Sequence, residues 1–111
     1  MANKAIDELL PLPAPFFQIL IALTPGQAHG YAIMQDVDER TGGQLKLNPG
    51  TLYGSIKRML ELDLIEEVRP LAGERRRYYR ITEHGRQAAR AEAARLEETL
   101  RYARLHGLAT T

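Results

Sequence analysis

The most regular hydrophobic pattern in the chain runs from Asn48 to Ile65. Four apolar residues recur there at positions i, i+4, i+7 and i+8, which places them on one side of a helix. They are Leu52, Ile56, Met59 and Leu60. Asn48 can cap this helix, and Pro49 suits its first position because no donor is needed there. The opposite side is small and polar at its start and basic in its second turn, with Tyr53 and Ser55 at its edges.

Shorter apolar patterns predict helices on both sides of this one. Prolines at positions 11, 13 and 15 end a weak helical lead within residues 1–12. Pro25-Gly26 and Gly42-Gly43 end the next two helices, and Thr82 can cap a long final one. The predicted helices are Phe16–Thr24, Gly30–Thr41, Pro49 to about Leu62, and Glu83–His106.

Three short segments have the alternation or composition of strands. They are Leu45–Leu47, Ile65–Arg69 and Arg75–Ile81. The last two flank a turn at residues 70–73 and predict a β-hairpin with a basic loop. Three helices followed by a hairpin is the order of a winged helix-turn-helix. The predicted fold is therefore mainly α with a small β-hairpin wing (α+β).

Composition limits what else the chain can be. Its 111 residues are 44% hydrophobic and 26% charged, as in one ordinary globular domain. It has no cysteine, and its three histidines lack metal-ligand spacing, so we expect no metal and no cofactor. No Ser/His/Asp set or phosphate loop supports an enzyme. Without a signal peptide or a membrane-length apolar run, we expect a soluble cytoplasmic protein.

Charge becomes informative only when it is divided along the chain. The net charge is +1 overall, but −3 over residues 1–42, +3 over 43–80 and +1 over 81–111. Positive potential therefore concentrates in the capped helix and the hairpin. Arg75, Arg76 and Arg77 in the hairpin can contact phosphates, or can form a solvated cluster that keeps the sheet edge from aggregating.

Four motifs, taken together, resemble the PadR family of bacterial transcriptional regulators. They are His29-Gly30-Tyr31-Ala32-Ile33, Gly50-Thr51-Leu52-Tyr53, Leu64-Ile65 and the run from Arg77 to Arg86. The resemblance covers residues 16–86 and implies a homodimeric winged-helix repressor that binds double-stranded operator DNA. It also implies frequent release by a small-molecule effector. The short C-terminal region is similar to the family branch with a single dimerisation helix.

Two residues depart from the family pattern. Asp63 stands where the family usually has glycine, at a helix end that often takes a left-handed backbone. Aspartate tolerates that conformation better than most residues, so we expect mild strain and an unchanged fold. Gly54 replaces a usually larger residue on the exposed helix face, which changes the details of base readout.

The basic helix and the wing contain the candidate DNA-binding residues. A helix that enters a major groove needs small residues for close approach, hydroxyls for base edges and basic groups for phosphates. The candidates are Asn48, Thr51, Tyr53, Lys57 and Arg58 in the helix, and Arg75, Arg76 and Arg77 in the wing. Structural alternatives exist: Tyr53 can pack at the rim of the core, and Arg58 can pair with Glu61.

The long C-terminal helix carries a second stripe, with spacings of three and four residues. It is small near the wing and larger further out, which suits close packing against a partner helix. The candidate dimer-interface residues are Ala89, Ala93, Leu96, Leu100 and Ala103, and the predicted flanking ion pairs are Glu92 with Arg95 and Glu97 with Arg101. Alternatively, the helix folds back on Phe16–Thr24.

These predictions divide the chain into a DNA-binding unit with its lead, residues 1–82, and a dimerisation helix with a frayed end, residues 83–111. Such a dimer should recognise an inverted repeat. Two other functions fit the same pattern. One is a winged-helix regulator of the MarR or ArsR type. The other is a winged helix that serves only as a protein-interaction module and makes no DNA contact.

Overall fold

The computed structural model describes residues 4–70 and 72–110. The helices and strands of these residues follow the order of a winged helix-turn-helix, so the predicted fold class is confirmed. They are α1 (Ile6–Leu9), α2 (Ala14–Leu23), β1 (Ala28–His29), α3 (Gly30–Arg40), α4 (Pro49–Glu61), β2 (Ile65–Val68), β3 (Tyr78–Ile81) and α5 (Glu83–Leu105). Leu71, part of the predicted turn at residues 70–73, lies outside the described residues.

The core lies among α2, α3, α4 and the first turns of α5. The predicted stripe of α4 is confirmed, since Leu52 and Met59 are fully buried and Ile56 nearly so. Ser55, predicted at the edge of the polar side, is instead buried. Its position follows from helical spacing, because it lies three residues after Leu52 and four before Met59, on the same side of the helix.

The three strands form one antiparallel sheet in the order β1-β3-β2, so the predicted hairpin gains a third strand. The paired residues include Ala28 with Tyr79, His29 with Tyr78, Ile65 with Ile81 and Val68 with Tyr78. β1 immediately precedes α3. Its pairing with β3 therefore holds the start of α3 against the base of the wing.

Two strand predictions are wrong. Leu45–Leu47 is a loop, and its two leucines alternate because they pack on the helical core rather than on one face of a sheet. The second hairpin strand begins at Tyr78, not at Arg75. Tyr78 lies opposite Val68, the last residue of β2, so the arginines before it have no strand to pair with.

A tight junction joins the end of α4 to the start of α5. Asp63 has a φ of 60°, which confirms the left-handed backbone expected there. The Thr82 hydroxyl donates to the Asp63 carbonyl at 2.6 Å and caps α5 by accepting from the Gly85 N–H at 2.9 Å. A Cβ on Gly85 would lie 2.0 Å from the Leu64 carbonyl oxygen. Glycine therefore allows α5 to begin in contact with this backbone.

The buried residues of α5 lie in its first three turns, and the helix contacts α1 and α2. Further along, Leu96 and Leu100 are each 40% exposed and Leu105 is 67% exposed. The molecule is accordingly elongated, with extents of 55 × 35 × 23 Å. None of the helices among the described residues combines the length and apolar content that crossing a membrane requires.

Glu92 ties α5 to the segment between α1 and α2. Its side chain is almost fully buried, and its carboxylate accepts from the Leu12 N–H at 3.1 Å and from Arg95 Nε and Nη2 at 2.9 and 2.6 Å. The hydrogen bonds from Arg95, together with that from Leu12, hold the pKa of Glu92 below its usual value although burial acts to raise it. The predicted Glu92–Arg95 pair is thus part of a tertiary contact. The other pair joins Arg101 to Glu98, not to Glu97.

Candidate nucleic-acid interface

The side of α4 that faces away from the core is exposed and polar. Asn48 caps the helix by accepting from the Thr51 N–H at 2.8 Å. Thr51, Gly54 and Lys57 follow one another at intervals of three residues, and all three are exposed. No neighbouring atom of the described residues lies within 4 Å of a Cβ placed on Gly54, so this face lets another molecule approach the backbone closely.

The two flanks of α4 point to different parts of the molecule. Tyr53 lies on the flank toward the wing and the start of α3. Arg58 lies on the other flank, beside a cleft of about 230 Å³ whose wall includes Lys4 and Leu62. Its guanidinium is 3.4 Å from the Glu61 carboxylate, so the predicted pair forms while Arg58 stays half exposed. The structure therefore separates Arg58 from the wing arginines.

A groove of about 460 Å³ separates α4 from the wing. The residues that line it belong to the start of α3, to α4 and to the wing loop; they are His29, Gly30, Tyr31, Tyr53, Arg75, Arg76 and Arg77. Four of the eight predicted DNA-binding residues meet there. Among the described residues, the lining contains three arginines and no carboxylate, so the groove suits an anion.

Tyr53 closes the floor of this groove. The hydroxyl end of its side chain packs on Gly30, where an added Cβ would lie 2.5 Å from the tyrosine hydroxyl. The residue is nevertheless 49% exposed. The packing at the rim is thus confirmed, and contact of Tyr53 with DNA stays a prediction.

His29 connects α3 to the wing. Its Nδ1 accepts from the Ala32 N–H at 3.2 Å and so caps α3. Its ring meets Tyr78 of β3 edge to face, with ring centroids 5.4 Å apart. Its Nε2 lies 3.0 Å from Nη1 of Arg76. His29 therefore has a structural role at the start of α3 and also contacts the wing.

Tyr31 is a further groove residue that the sequence-based candidates did not include. It is 62% exposed in the first turn of α3, and its hydroxyl accepts from Gln35 at 3.1 Å. The signal in the sequence that could have identified Tyr31 is its position in the first turn of α3. In a helix-turn-helix the helix before the recognition helix crosses the DNA backbone, and its exposed first-turn residues lie near that crossing.

The arginines of the wing differ in how they are engaged. Arg80 forms an ion pair with Glu66 across the sheet, so its charge is compensated. Arg75, Arg76 and Arg77 are exposed. Arg77 lies near Tyr79, whose pKa is raised above its usual value by burial and, to a lesser degree, by the Glu67 carboxylate. The three consecutive arginines therefore provide the positive charge that faces the groove.

The predicted dimer stripe falls into two parts. Ala89 packs partly against the core of its own chain. Ala93, Leu96 and Leu100 are exposed, and Ala103 is half buried. The larger apolar residues of the stripe are thus the ones that the rest of the described chain leaves uncovered.

Comparison with known proteins identifies relatives of this chain. Residues 19–91 match the transcriptional regulator PadR-like family. An uncharacterized 37.1 kDa protein of transposon TN4556 from Streptomyces fradiae is 38% identical over 76 residues, a match that covers 68% of this chain and 21% of that protein. The chain therefore spans about a fifth of the length of that relative.

Two solved structures are similar in fold. A PadR family transcription regulator from Clostridium difficile has a TM-score of 0.75 and 23% identity, with 85% of this chain and 98% of that chain covered. Bacillus subtilis PadR in complex with operator DNA has a TM-score of 0.63 and 21% identity, with 71% and 46% covered. The family match extends over about two thirds of the sequence. The chain belongs to the PadR-like family of transcriptional regulators.

Proposed function

We propose that this regulator is a homodimeric repressor that inserts α4 into the major groove of operator DNA and sets its wing on flanking phosphates. The observation that carries the proposal is the exposed polar face of α4 beside a groove lined by Arg75, Arg76 and Arg77. The B. subtilis complex supports it, because a protein of this fold is there bound to operator DNA. Such a repressor acts in the cytoplasm.

The position of each side chain on α4 determines whether it contacts base edges or the DNA backbone. Thr51 and Tyr53, in the first turns of α4, reach base edges or sugars through their hydroxyls. Lys57 and Arg58, one to two turns later on opposite flanks, reach the backbone on either side of the groove. Asn48 lies at the entry end of the helix, where its side-chain oxygen is engaged in the cap and its side-chain NH2 is the group left to donate to DNA.

The second half of α5 provides the dimer contact in this proposal. Its support is the exposed apolar surface of Leu96, Leu100 and Leu105, which a partner helix would remove from water. Residues 1–82 then act as the DNA-binding unit and residues 83–111 as the dimerisation segment. A two-fold dimer presents two α4 helices to half-sites about 34 Å apart, so the operator is an inverted repeat. Release by a small-molecule effector belongs to the proposal through family resemblance alone.

Wing variants test the DNA contact. Arg75→Ala with Arg77→Ala should weaken binding to selected operator and to random duplex alike, because phosphate contacts carry little sequence information. The slope of log K against log[salt] should flatten by about 0.9 for each phosphate that the variant no longer neutralises. Arg104→Ala removes the same charge from the far end of α5 and should change neither quantity. An unchanged slope in the double variant would refute the wing contact.

Charge placed in the apolar stripe tests the dimer. Leu96→Arg with Leu100→Arg should give a monomer in sedimentation velocity and should abolish operator binding. Ala94→Arg adds a charge on the side of α5 away from the stripe and should leave the dimer intact. A wild-type protein that sediments as a monomer at micromolar concentration would contradict this part of the proposal, as would a double variant that still dimerises and binds.

A further inference from the structure

Two hydrogen-bond donors point at the imidazole ring of His29, which has at most one accepting nitrogen. His29 Nδ1 accepts from the Ala32 N–H, and Arg76 Nη1 lies 3.0 Å from Nε2 of the same ring. Both neighbours are obligatory donors, because neither a backbone amide nor a guanidinium can accept. A neutral imidazole has one accepting nitrogen and a protonated one has none. The ring can therefore satisfy only one of the two donors.

The helix cap decides which donor is satisfied. With Nδ1 engaged by Ala32, the ring proton resides on Nε2, so Nε2–H and the Arg76 guanidinium direct donors at each other. With the opposite tautomer, Nε2 would accept from Arg76, but Nδ1–H would oppose the Ala32 N–H and the cap would be broken. With the cap intact, the arrangement becomes favourable once an outside oxygen accepts from both Nε2–H and the Arg76 guanidinium.

The residues that line the groove indicate which kind of molecule supplies this oxygen. The groove is also lined by Tyr31, Tyr53, Arg75 and Arg77, whose side chains can donate hydrogen bonds, and no carboxylate of the described residues lines it. The nearest acid in sequence, Glu74, uses Oε1 to accept from the Arg76 backbone N–H at 3.0 Å. A site with several donors, positive charge and a volume of about 460 Å³ fits a phosphate group, whose oxygens accept from several donors at once.

We propose that His29 Nε2–H and the Arg76 guanidinium bind the same DNA backbone phosphate, one in each half-site. This inference rests on the proposed function and assigns a specific contact within it. The phosphate joins the start of α3 to the wing loop and so orients that loop relative to α4. His29 acts as a neutral donor and Arg76 supplies the charge.

Two single variants separate these roles on operator selected from a random pool. His29→Asn keeps an N-cap, since asparagine caps well, but removes the Nε2 donor. It should lower operator affinity roughly three- to tenfold with an unchanged salt slope, because no charge is removed. Arg76→Ala should lower affinity and flatten the slope by about 0.9 for each arginine removed from the dimer. His29→Asn also loses the ring contact with Tyr78, so its melting temperature should fall slightly, and binding is compared at a temperature where both proteins are fully folded.

The double variant tests whether the two groups share one phosphate. With a shared ligand, His29→Asn should reduce affinity much less in the Arg76→Ala background than in the wild type. Methylphosphonate replacement should identify a single position per half-site where both variants cease to have an effect. Independent, multiplicative reductions, or His29→Asn protein with wild-type affinity, would overturn the proposal.

Further measurements separate this contact from the general function and from binding of free anions. If Lys57→Ala weakens DNA binding while His29→Asn and Arg76→Ala do not, the shared phosphate contact is refuted and the DNA-binding proposal stands. If wild-type protein binds no duplex at all, the proposed function itself fails. Inorganic phosphate should displace DNA no better than chloride at equal ionic strength. Stronger displacement by phosphate that disappears in His29→Asn would assign the site to a free anion instead.

Discussion

Replacing Glu92 tests how α5 is held on the DNA-binding unit. Glu92→Ala removes the acceptor of the buried Leu12 N–H and the partner of Arg95. An unsatisfied buried donor costs about 1–3 kcal/mol and the truncated side chain adds to that, so we expect a loss of about 2–4 kcal/mol in unfolding free energy. Glu92→Gln keeps an oxygen for Leu12, but it removes the charge and replaces the oxygen that accepts from Arg95 Nη2 with an NH2 donor, which should cost about 1–2 kcal/mol.

The control is Glu98, which pairs with Arg101 at the same spacing but is exposed on α5. Glu98→Ala should be indistinguishable from wild type in urea unfolding, because exposed pairs contribute little. If Glu92→Ala were as stable as Glu98→Ala, the idea that Glu92 anchors α5 would be refuted.

The pH dependence gives an independent check on Glu92. Its pKa is lower in the folded chain than the usual value of 4.5, so its contribution is complete above that pH and is lost as the pH falls further. The stability difference between wild type and Glu92→Gln should therefore shrink on acidification below about pH 4.5. A constant difference across that range would mean that the carboxylate charge is not what stabilises the contact.

Two further pairs of variants test the packing and facing of the helices. Gly85→Ala should unfold the domain or strongly destabilise it, because its Cβ would meet the Leu64 carbonyl oxygen at 2.0 Å, whereas Gly54→Ala should stabilise α4 by about 0.5–1 kcal/mol in thermal unfolding. Leu52→Ala should cost about 2–5 kcal/mol as a core truncation. Thr51→Ala should leave stability unchanged and reduce the ratio of operator to random-duplex affinity. If Thr51→Ala destabilised the fold and Leu52→Ala changed only the affinity ratio, α4 would face the other way.

The sequence predicts correctly those features of the fold that depend on neighbouring residues alone. Asn48 and Pro49 defined the start of α4, and Thr82 defined the start of α5, because a cap depends on residues within one turn. Asp63 was expected to take the left-handed backbone and does. The predicted position of Ser55 is wrong for a different reason: its polarity favours an exposed side chain, whereas helical spacing places it within the buried apolar stripe.

The errors elsewhere arise from pairing and burial between distant segments. β1 has only two residues, too few to show alternation, and exists because it pairs with β3 about fifty residues later. Glu92 has the spacing of an ordinary surface partner of Arg95, but Leu12, eighty residues away, also donates to it. The contact of His29 with Arg76 likewise depends on how the wing folds over α3. None of these follows from local spacing.

The salt dependence of binding to a random duplex tests the central claim most directly. We expect fluorescence anisotropy of a labelled duplex to show binding that weakens linearly in log K with log[salt], because the lysine and arginines of α4 and the wing displace counterions from phosphates. A winged helix that serves only as a protein-interaction module would bind the duplex with no appreciable slope, or not at all. That result, with folded wild-type protein, would contradict the account of α4 and the wing as a DNA-binding surface.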